Sequence, residues 1–349
     1  KNFLFQVNDH PKSPHIFNNN YPFYTSKSKV MIEHFKKYFL WANKNYLKNN
    51  SKVIEIGCND GTFLQNFHKK KIEHIGFEPS VNVAKYARKK GVNVISKFFN
   101  YKNVIKLKKF KSQTDFICAA NVICHVPNLN DLIKSVYSLL SKDGVFVFEE
   151  PYLGSMFKKT SYDQIYDAHI FIFSLHSVRS IFNNFGLELI DAIPQKTHGG
   201  SMRYVIAKKG MHKIKPRVHS LIKQEKREKL DKIESCLKFK KQCWGCFDIL
   251  LNTSYCKVKE ITVDPGQKLS YQYHDKRAES WTVTSGNLTI ILDDEKLFRS
   301  PGESITIPLG AKHRAWNETE EPVSFIEVQT GTYFGEDDIV RIEDDYSRA

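Results

Sequence analysis

The hydrophobic pattern of this chain changes its period near Trp244, and a chain with two periods is not built as one uniform layer. Before that point short apolar runs alternate with helical stretches. From Ser51 a strand spans Lys52 to Ile56, a glycine-bearing turn and a helical segment follow, and a second strand runs from Ile72 to Phe77 and ends in Glu78. Further strands are expected near Val92 to Ile95, Phe116 to Ala120 and Gly144 to Phe148, with amphipathic stretches such as Leu129 to Leu140 between them. Leu187 to Ile190 and Met202 to Lys208 supply two more. Strands alternating with helices at this spacing predict a doubly wound α/β domain on a largely parallel sheet. After Trp244 the runs are short and β-like, with turns at Asp264-Pro265-Gly266, Ser285-Gly286-Asn287, Pro301-Gly302 and Pro308-Leu309-Gly310, which predicts a small all-β sandwich or barrel. Between the two, Ile214 to Lys240 is densely charged, lacks glycine and has apolar residues at helical spacing, the pattern of a linking helix. The expected boundaries are 1–210, 211–242 as a helical linker, and 243–349.

The formal charge of +15 conceals a division along the chain. Residues 251–349 carry 11 Lys+Arg against 18 Asp+Glu, whereas residues 1–250 carry 42 against 20. Two segments of opposite sign fit two domains better than one nucleic-acid-binding body, so no nucleic-acid partner is expected. Lys, Asn, Ile and Phe are abundant throughout, so genomic composition is expected to account for part of the basicity. The seven cysteines are odd in number and lie mostly in apolar runs, which points to reduced thiols and a cytoplasmic setting. No apolar run approaches the roughly 18 residues of a membrane helix, and no membrane partner is expected. The chain begins with Lys, as a fragment of a longer product would.

The run Val53-Ile54-Glu55-Ile56-Gly57-Cys58-Asn59-Asp60-Gly61-Thr62-Phe63 puts glycines between a strand and a helix, where a backbone must approach a ligand. Glu78 ends the next strand about 20 residues on, where a carboxylate can accept both hydroxyls of a ribose. An acidic residue opening the turn suits a cationic amino-acid moiety better than a pyrophosphate. Glu55, Gly57, Asn59, Gly61 and Glu78 together resemble the S-adenosylmethionine site of class I (Rossmann-like) methyltransferases. That resemblance implies that Asn121, at the end of the fourth strand, lines the donor pocket.

Four further segments narrow the likeness: Asn121-Val122-Ile123-Cys124-His125-Val126-Pro127-Asn128-Leu129, Phe148-Glu149-Glu150-Pro151-Tyr152, Tyr166-Asp167-Ala168-His169, and His198-Gly199-Gly200-Ser201-Met202-Arg203-Tyr204. With Tyr21-Pro22-Phe23-Tyr24-Thr25-Ser26, they resemble the sugar C-methyltransferases over about residues 5–240. Those enzymes methylate a carbon next to the keto group of a nucleotide-linked deoxysugar. Such chemistry needs a base for the α-proton and donors for the enolate oxygen. The resemblance implies His169 as the base, Tyr166 as its polar partner, and His125 as an enolate donor or sugar ligand. Tyr21 and Tyr24 would close over the sugar, and Arg203 would meet the diphosphate. The family has Glu where this chain has Ala168. Its cysteine-rich amino-terminal zinc domain and its carboxy-terminal Rossmann-like domain have no expected counterpart here.

In the second segment the spacing is Gly266, Gln272-x-His274, Glu279, Gly286, then Gly302, Pro308-x-Gly310, His313 and Asn317. These are the two cupin motifs with Gln at the first ligand place. Residues 272 and 274 of a strand share a face, so both can reach one ion. The set Gln272, His274, Glu279 and His313 suits zinc or another divalent metal with open positions. The surrounding residues, among them Arg277-Ala278-Glu279-Ser280-Trp281 and Asp338-Ile339-Val340-Arg341, resemble the isomerase domain of bifunctional mannose-1-phosphate guanylyltransferase/mannose-6-phosphate isomerases. The resemblance implies a sugar phosphate over the metal, with Arg277 and Arg341 on the phosphate.

The combined expectation is a sugar-handling enzyme of surface polysaccharide or glycan biosynthesis. It uses S-adenosylmethionine and a metal on a nucleotide sugar or sugar phosphate, with a homodimer among the open oligomeric states. Sugar O-methylation, a weakened methyltransferase scaffold beside an active cupin isomerase, and an RNA methyltransferase are the alternatives.

Overall fold

Apolar runs between Lys52 and Lys208 assemble into one seven-stranded sheet in which successive residues bury on opposite faces. The computed structural model describes residues 4–6, 10–159, 169–197, 199–232, 244–253, 255–335 and 338–345. The chain divides into two units, Lys1–Lys232 and Ile233–Ala349.

The first unit opens with a two-residue strand β1 (Phe5–Gln6), a helical turn α1 (Ser13–Ile16) and the long helix α2 (Lys29–Asn45). The winding follows as β2 (Lys52–Ile56), α3 (Gln65–Lys69), β3 (Glu73–Phe77), α4 (Val81–Lys89), β4 (Val94–Ile95), α5 (Tyr101–Val104), β5 (Thr114–Ala120), α6 (Leu129–Leu139) and β6 (Leu140–Pro151). It ends with α7 (Leu153–Lys159), β7 (Phe171–Ile172), α8 (Leu175–Asn183), β8 (Leu187–Pro194), β9 (Ser201–Lys208) and α9 (Pro216–Arg227). The strand order is β4-β3-β2-β5-β6-β9-β8, parallel through β6, with β9 and β8 antiparallel. Alternation divides the core in two: Ile54, Ile117, Phe146 and Ile206 pack on one face, and Val53, Phe116, Val145 and Val205 on the other.

On the second face α2 lays Phe35, Tyr38, Phe39 and Ala42 onto the sheet. Between them sits an ion cluster. Glu149 of β6 accepts from Arg203 Nε of β9 at 2.6 Å and lies 2.6 Å from His34 Nε2 of α2. The Arg203 guanidinium stacks 3.8 Å from the Tyr38 ring centroid and 4.5 Å from that of Trp41. Arg203 is therefore a buried structural cation, and its expected role on a diphosphate is corrected: its partners leave it no path to a ligand.

The helix in the charged segment after Met211 is shorter than its periodicity implies and belongs to the first unit. Glu225 of α9 is fully buried and accepts from the backbone N–H groups of Leu175 (2.7 Å) and His176 (3.0 Å) and from the Tyr152 hydroxyl (3.0 Å). It thereby caps the start of α8, whose first N–H groups have no partner within the helix. Residues 233–243, the rest of the expected linker, lie outside the described residues.

The second unit is two antiparallel five-stranded sheets. Their strands are β10 (Gly245–Asn252), β11 (Cys256–Val263), β12 (Tyr271–His274), β13 (Arg277–Ser285), β14 (Leu288–Leu292), β15 (Glu295–Arg299), β16 (Ser304–Ile307), β17 (His313–Trp316), β18 (Val323–Gly331) and β19 (Ile339–Glu343). One sheet is ordered β10-β11-β18-β13-β16 and the other β15-β14-β17-β12-β19. Ile261, Val263, Trp281, Val283, Leu288, Ile290, Val323 and Phe325 fill the core, as the expected cupin barrel requires.

The buried cluster makes a stability prediction. Burial alone would raise the Glu149 carboxyl, but the His34 hydrogen bond and the Arg203 charge hold it below the ordinary glutamate value. Glu149→Ala leaves Arg203 buried and uncompensated and costs about 3–5 kcal/mol at pH 7 in urea unfolding of the first unit. A folded carboxyl held low contributes fully above the unfolded value near 4.3 and loses that contribution as pH falls through the folded one. The gap between variant and wild type therefore narrows below about pH 4.

Candidate functional site

β2 ends at Ile56 and the chain turns at Gly57 with φ 67°, where an added Cβ would stand 2.4 Å from Val122 Cγ2. Only glycine meets both conditions. Gly57, Glu55, Asn59, Glu78 and Asn121 line one cavity of ≈ 910 Å³. Gly61 does not line it. Its φ of 74° and the 2.9 Å between an added Cβ and the Ala87 Cβ show that it lets α4 pack against the turn.

The floor of the cavity is acidic. Glu55 is buried, its Oε2 has no hydrogen-bond partner, and burial, then Asp60 and Glu78, push its carboxyl well up. Glu78 accepts from Asn59 N–H at 3.0 Å and Ser80 N–H at 2.8 Å, and burial raises it too. Asn121, left-handed at φ 52°, has a buried Oδ1 without a partner. Buried carboxyls that repel one another and an orphaned carbonyl oxygen form a cradle for a cationic ligand with hydrogen-bond donors. S-adenosylmethionine, with its sulfonium and ammonium groups, matches that cradle.

An amino-terminal strap covers this floor. Thr25 N–H donates to Asn59 Oδ1 (2.9 Å), Ser26 N–H to Asp60 Oδ2 (3.0 Å), Asn59 Nδ2 to the Phe23 carbonyl (3.1 Å) and Asn82 Nδ2 to the Tyr21 carbonyl (2.9 Å). The Asn59 side chain is thus spent on the strap. Tyr21 lines the cavity, and burial followed by the Glu78 charge keeps its hydroxyl protonated above the usual range. Tyr24 does not line it. Its ring lies edge-on to Tyr86 at 5.1 Å, and its hydroxyl accepts from Asn82 at 3.3 Å, so its expected place over a sugar is corrected.

His125 and His169 line the same cavity, with ring centroids 5.0 Å apart. His125 ends the 3-10 turn Ile123–His125. Beneath that turn Glu150, fully buried, accepts from the N–H groups of Val122 (2.9 Å) and Ile123 (2.6 Å), and burial pushes its carboxyl up to about 7. The sequence shows Glu150 only as part of a motif; its support of the turn follows from the pairing of β5 with β6. Tyr166 and Ala168 lie outside the described residues.

In the second unit His274, Glu279 and His313 converge, all buried. His274 Nε2 is 3.0 Å from Glu279 Oε1, and His313 Nε2 is 3.5 Å from Glu279 Oε2. His274 Nδ1 faces the Asp338 carbonyl at 3.3 Å and His313 Nδ1 the Ala311 carbonyl at 2.9 Å. Carbonyls only accept, so each Nδ1 carries a proton, which leaves Nε2 as the nitrogen of each ring that would meet a metal. Gln272 stands opposite His313 on one side and Arg341 on the other, and its Oε1 accepts from Ser270 at 2.6 Å.

Outer groups hold Glu279. Trp281 Nε1–H donates to its Oε2 at 3.1 Å, and Gln329 Nε2 donates to its Oε1 at 3.0 Å and to Glu327 at 2.8 Å. Burial works against ionisation of Glu279, yet His274, His313 and Arg277 hold it far below the ordinary range. Burial lowers His313. Arg277 is itself enclosed, donating to the Gly335 carbonyl at 2.8 Å, facing Asp338 at 3.8 Å and lying with its Nε 3.4 Å from Glu279 Oε1. Lys257, Lys259, Glu327 and Gln329 continue the charged lining across β11 and β18. Sequence motifs missed these because each sits singly in an ordinary β-run.

Residues 30–192 match the methyltransferase domain family, residues 196–253 the C-methyltransferase C-terminal domain, and residues 231–344 the mannose-6-phosphate isomerase C-terminal family. The match over 196–253 corrects the expectation that the C-methyltransferase carboxy-terminal domain has no counterpart: a segment of it is present. C-methyltransferase NovU of Streptomyces niveus is 26% identical over 219 residues, 62% of this chain and 52% of that protein. Xanthan biosynthesis protein XanB of Xanthomonas campestris pv. campestris (strain B100) is 48% identical over 105 residues, 30% of this chain and 22% of that protein. Mannose-1-phosphate guanylyltransferase ManC of Salmonella typhimurium (strain LT2) is 44% identical over 105 residues, with the same coverage of 30% and 22%. The chain thus spans about half the length of NovU and about a fifth of XanB and ManC. It joins a methyltransferase domain to a cupin of the mannose-6-phosphate isomerase C-terminal type.

Gly57 and Gly210 separate backbone strain from steric cost, because both have positive φ but only Gly57 has neighbours where a Cβ would go. Gly210→Ala costs the roughly 1–3 kcal/mol of a left-handed non-glycine residue. Gly57→Ala exceeds it in urea unfolding, and Val122→Ala in the same chain recovers the excess.

Proposed function

We propose that the first unit transfers a methyl group from S-adenosylmethionine to the carbon beside the keto group of a nucleotide-linked keto-deoxysugar, and that the cupin holds a divalent metal for a sugar phosphate, in surface polysaccharide or glycan biosynthesis. The observation that carries this reading is the single cavity shared by the acidic donor floor and by His125 and His169. Its two halves agree with relatives whose names are C-methyltransferase and xanthan biosynthesis protein.

When bound, the donor supplies an electrophilic methyl group. Glu78 would accept from its ribose hydroxyls, and Glu55 and Asn121 would meet its cationic amino-acid end. His169 removes the proton from the acceptor carbon. His125 and the protonated Tyr21 hydroxyl donate to the oxygen where negative charge collects. The strap and the apolar wall of Phe17, Phe23 and Phe35 exclude water from that charge. In the cupin, His274, Glu279 and His313 would hold the ion, zinc by the chemistry of nitrogen and carboxylate ligands, with Gln272 beside them. Arg341 is the cation assigned to the phosphate, and a metal there would polarise the sugar oxygens.

His169→Ala lowers the methyl-transfer rate about 10²- to 10⁴-fold while calorimetric binding of S-adenosylmethionine is unchanged. Mass spectrometry of products from a panel of dehydrated GDP-, CDP- and dTDP-sugars shows one added methyl on carbon; a methyl on oxygen overturns the C-methylation reading. For the cupin, Trp281→Phe removes one donor to Glu279 and weakens zinc binding about 10–100-fold in chelator competition.

A further inference from the structure

Cys124, His125 and His169 bring a thiol and two imidazoles to one place, with ligand atoms all within 4.8 Å of one another. Cys124 and His169 are buried, His125 is half-buried, and both histidines line the cavity. Cys124 and His125 belong to a turn whose preceding N–H groups are held by the buried Glu150, so two of the three donors come from a fixed backbone. Around a tetrahedral zinc ion, with Zn–S near 2.3 Å and Zn–N near 2.0–2.1 Å, donor atoms stand about 3.5 Å apart. The three side chains must rotate toward one another to reach that spacing.

We propose that Cys124, His125 and His169 form a second metal site, for a thiophilic divalent cation such as zinc, separate from the cupin ligands. Three protein ligands leave a coordination position directed at the cavity. The thiolate selects zinc over magnesium or calcium, and on coordination the thiol proton passes to the Glu150 carboxyl against which the buried Cys124 lies. An ion held there occupies the His169 lone pair, so it switches methyl transfer off. That consequence rests on the assignment of His169 as the base; binding of the ion does not.

The test uses the full chain carrying His274→Ala and His313→Ala, which removes the two cupin imidazoles, titrated with Co²⁺ alone. Expected is one cobalt per chain with a thiolate-to-metal charge-transfer band in the near ultraviolet, displaced by zinc. Adding Cys124→Ser abolishes the band and weakens cobalt binding more than about tenfold, with an unchanged circular dichroism spectrum showing that the chain is folded. A band that survives Cys124→Ser, or no cobalt bound, overturns the site. In the activity arm, zinc slows methyl transfer by about tenfold or more and a chelator restores it. Cys124→Ser keeps the metal-free rate and loses the sensitivity. Cobalt binding with zinc-insensitive transfer overturns the inhibitory role. A chain inactive on every sugar without metal refutes the functional reading instead, and the cobalt spectrum still decides the site.

Discussion

Two consecutive carboxylates at the end of β6 face opposite sides of the sheet, and both sides of the first unit are organised around them. Glu149 points toward α2 and fixes Arg203 and His34 there, locking the long helix onto β6 and β9. Glu150 points the other way and holds the turn that presents Cys124 and His125. The period-two geometry of a strand makes this possible with adjacent residues. Neither charge is placed for contact with a substrate. Glu149 fixes the helix whose Phe35 lines the cavity, and Glu150 fixes the turn whose His125 lines it.

The cupin applies the same alternation along its length. On β11, β13 and β18 the inward positions near one end are Ile261, Val263, Trp281, Val283, Val323 and Phe325, and toward the other they are Lys257, Lys259, Arg277, Glu279, Glu327 and Gln329. The apolar half supplies the burial that stabilises the barrel. The polar half is tolerated because nearly every charge has a partner of opposite sign or a hydrogen bond. His274 and His313 enter from the facing sheet at the polar half.

Much of this was legible in the sequence because it depends on local period and spacing. The strand Lys52–Ile56 has the expected bounds, and those of Glu73–Phe77 and Leu129–Leu139 differ from expectation by one residue at an end. Glu55, Gly57, Glu78, Asn121, His125 and His169 share one cavity as expected, and His274, Glu279 and His313 converge. What failed were inferences about single charged or aromatic side chains. Arg203 and Tyr24 were expected at ligands but do not line the cavity and lie against protein partners. A motif fixes where a residue sits on its element, whereas its partner comes from strands and helices distant in sequence. Arg203 and Glu149 are 54 positions apart.

The burial of Glu225 redraws the edge of the first unit. A chain cut at residue 210, where the strands of the sheet have ended, would strip α8 of the carboxylate that caps it and leave the Tyr152 hydroxyl and the Leu175 and His176 amides without their acceptor. Tyr152 directly follows Pro151, which lines the cavity, so the loss falls next to the site. The unit that keeps this cap intact is the one that retains α9 and runs through Lys232.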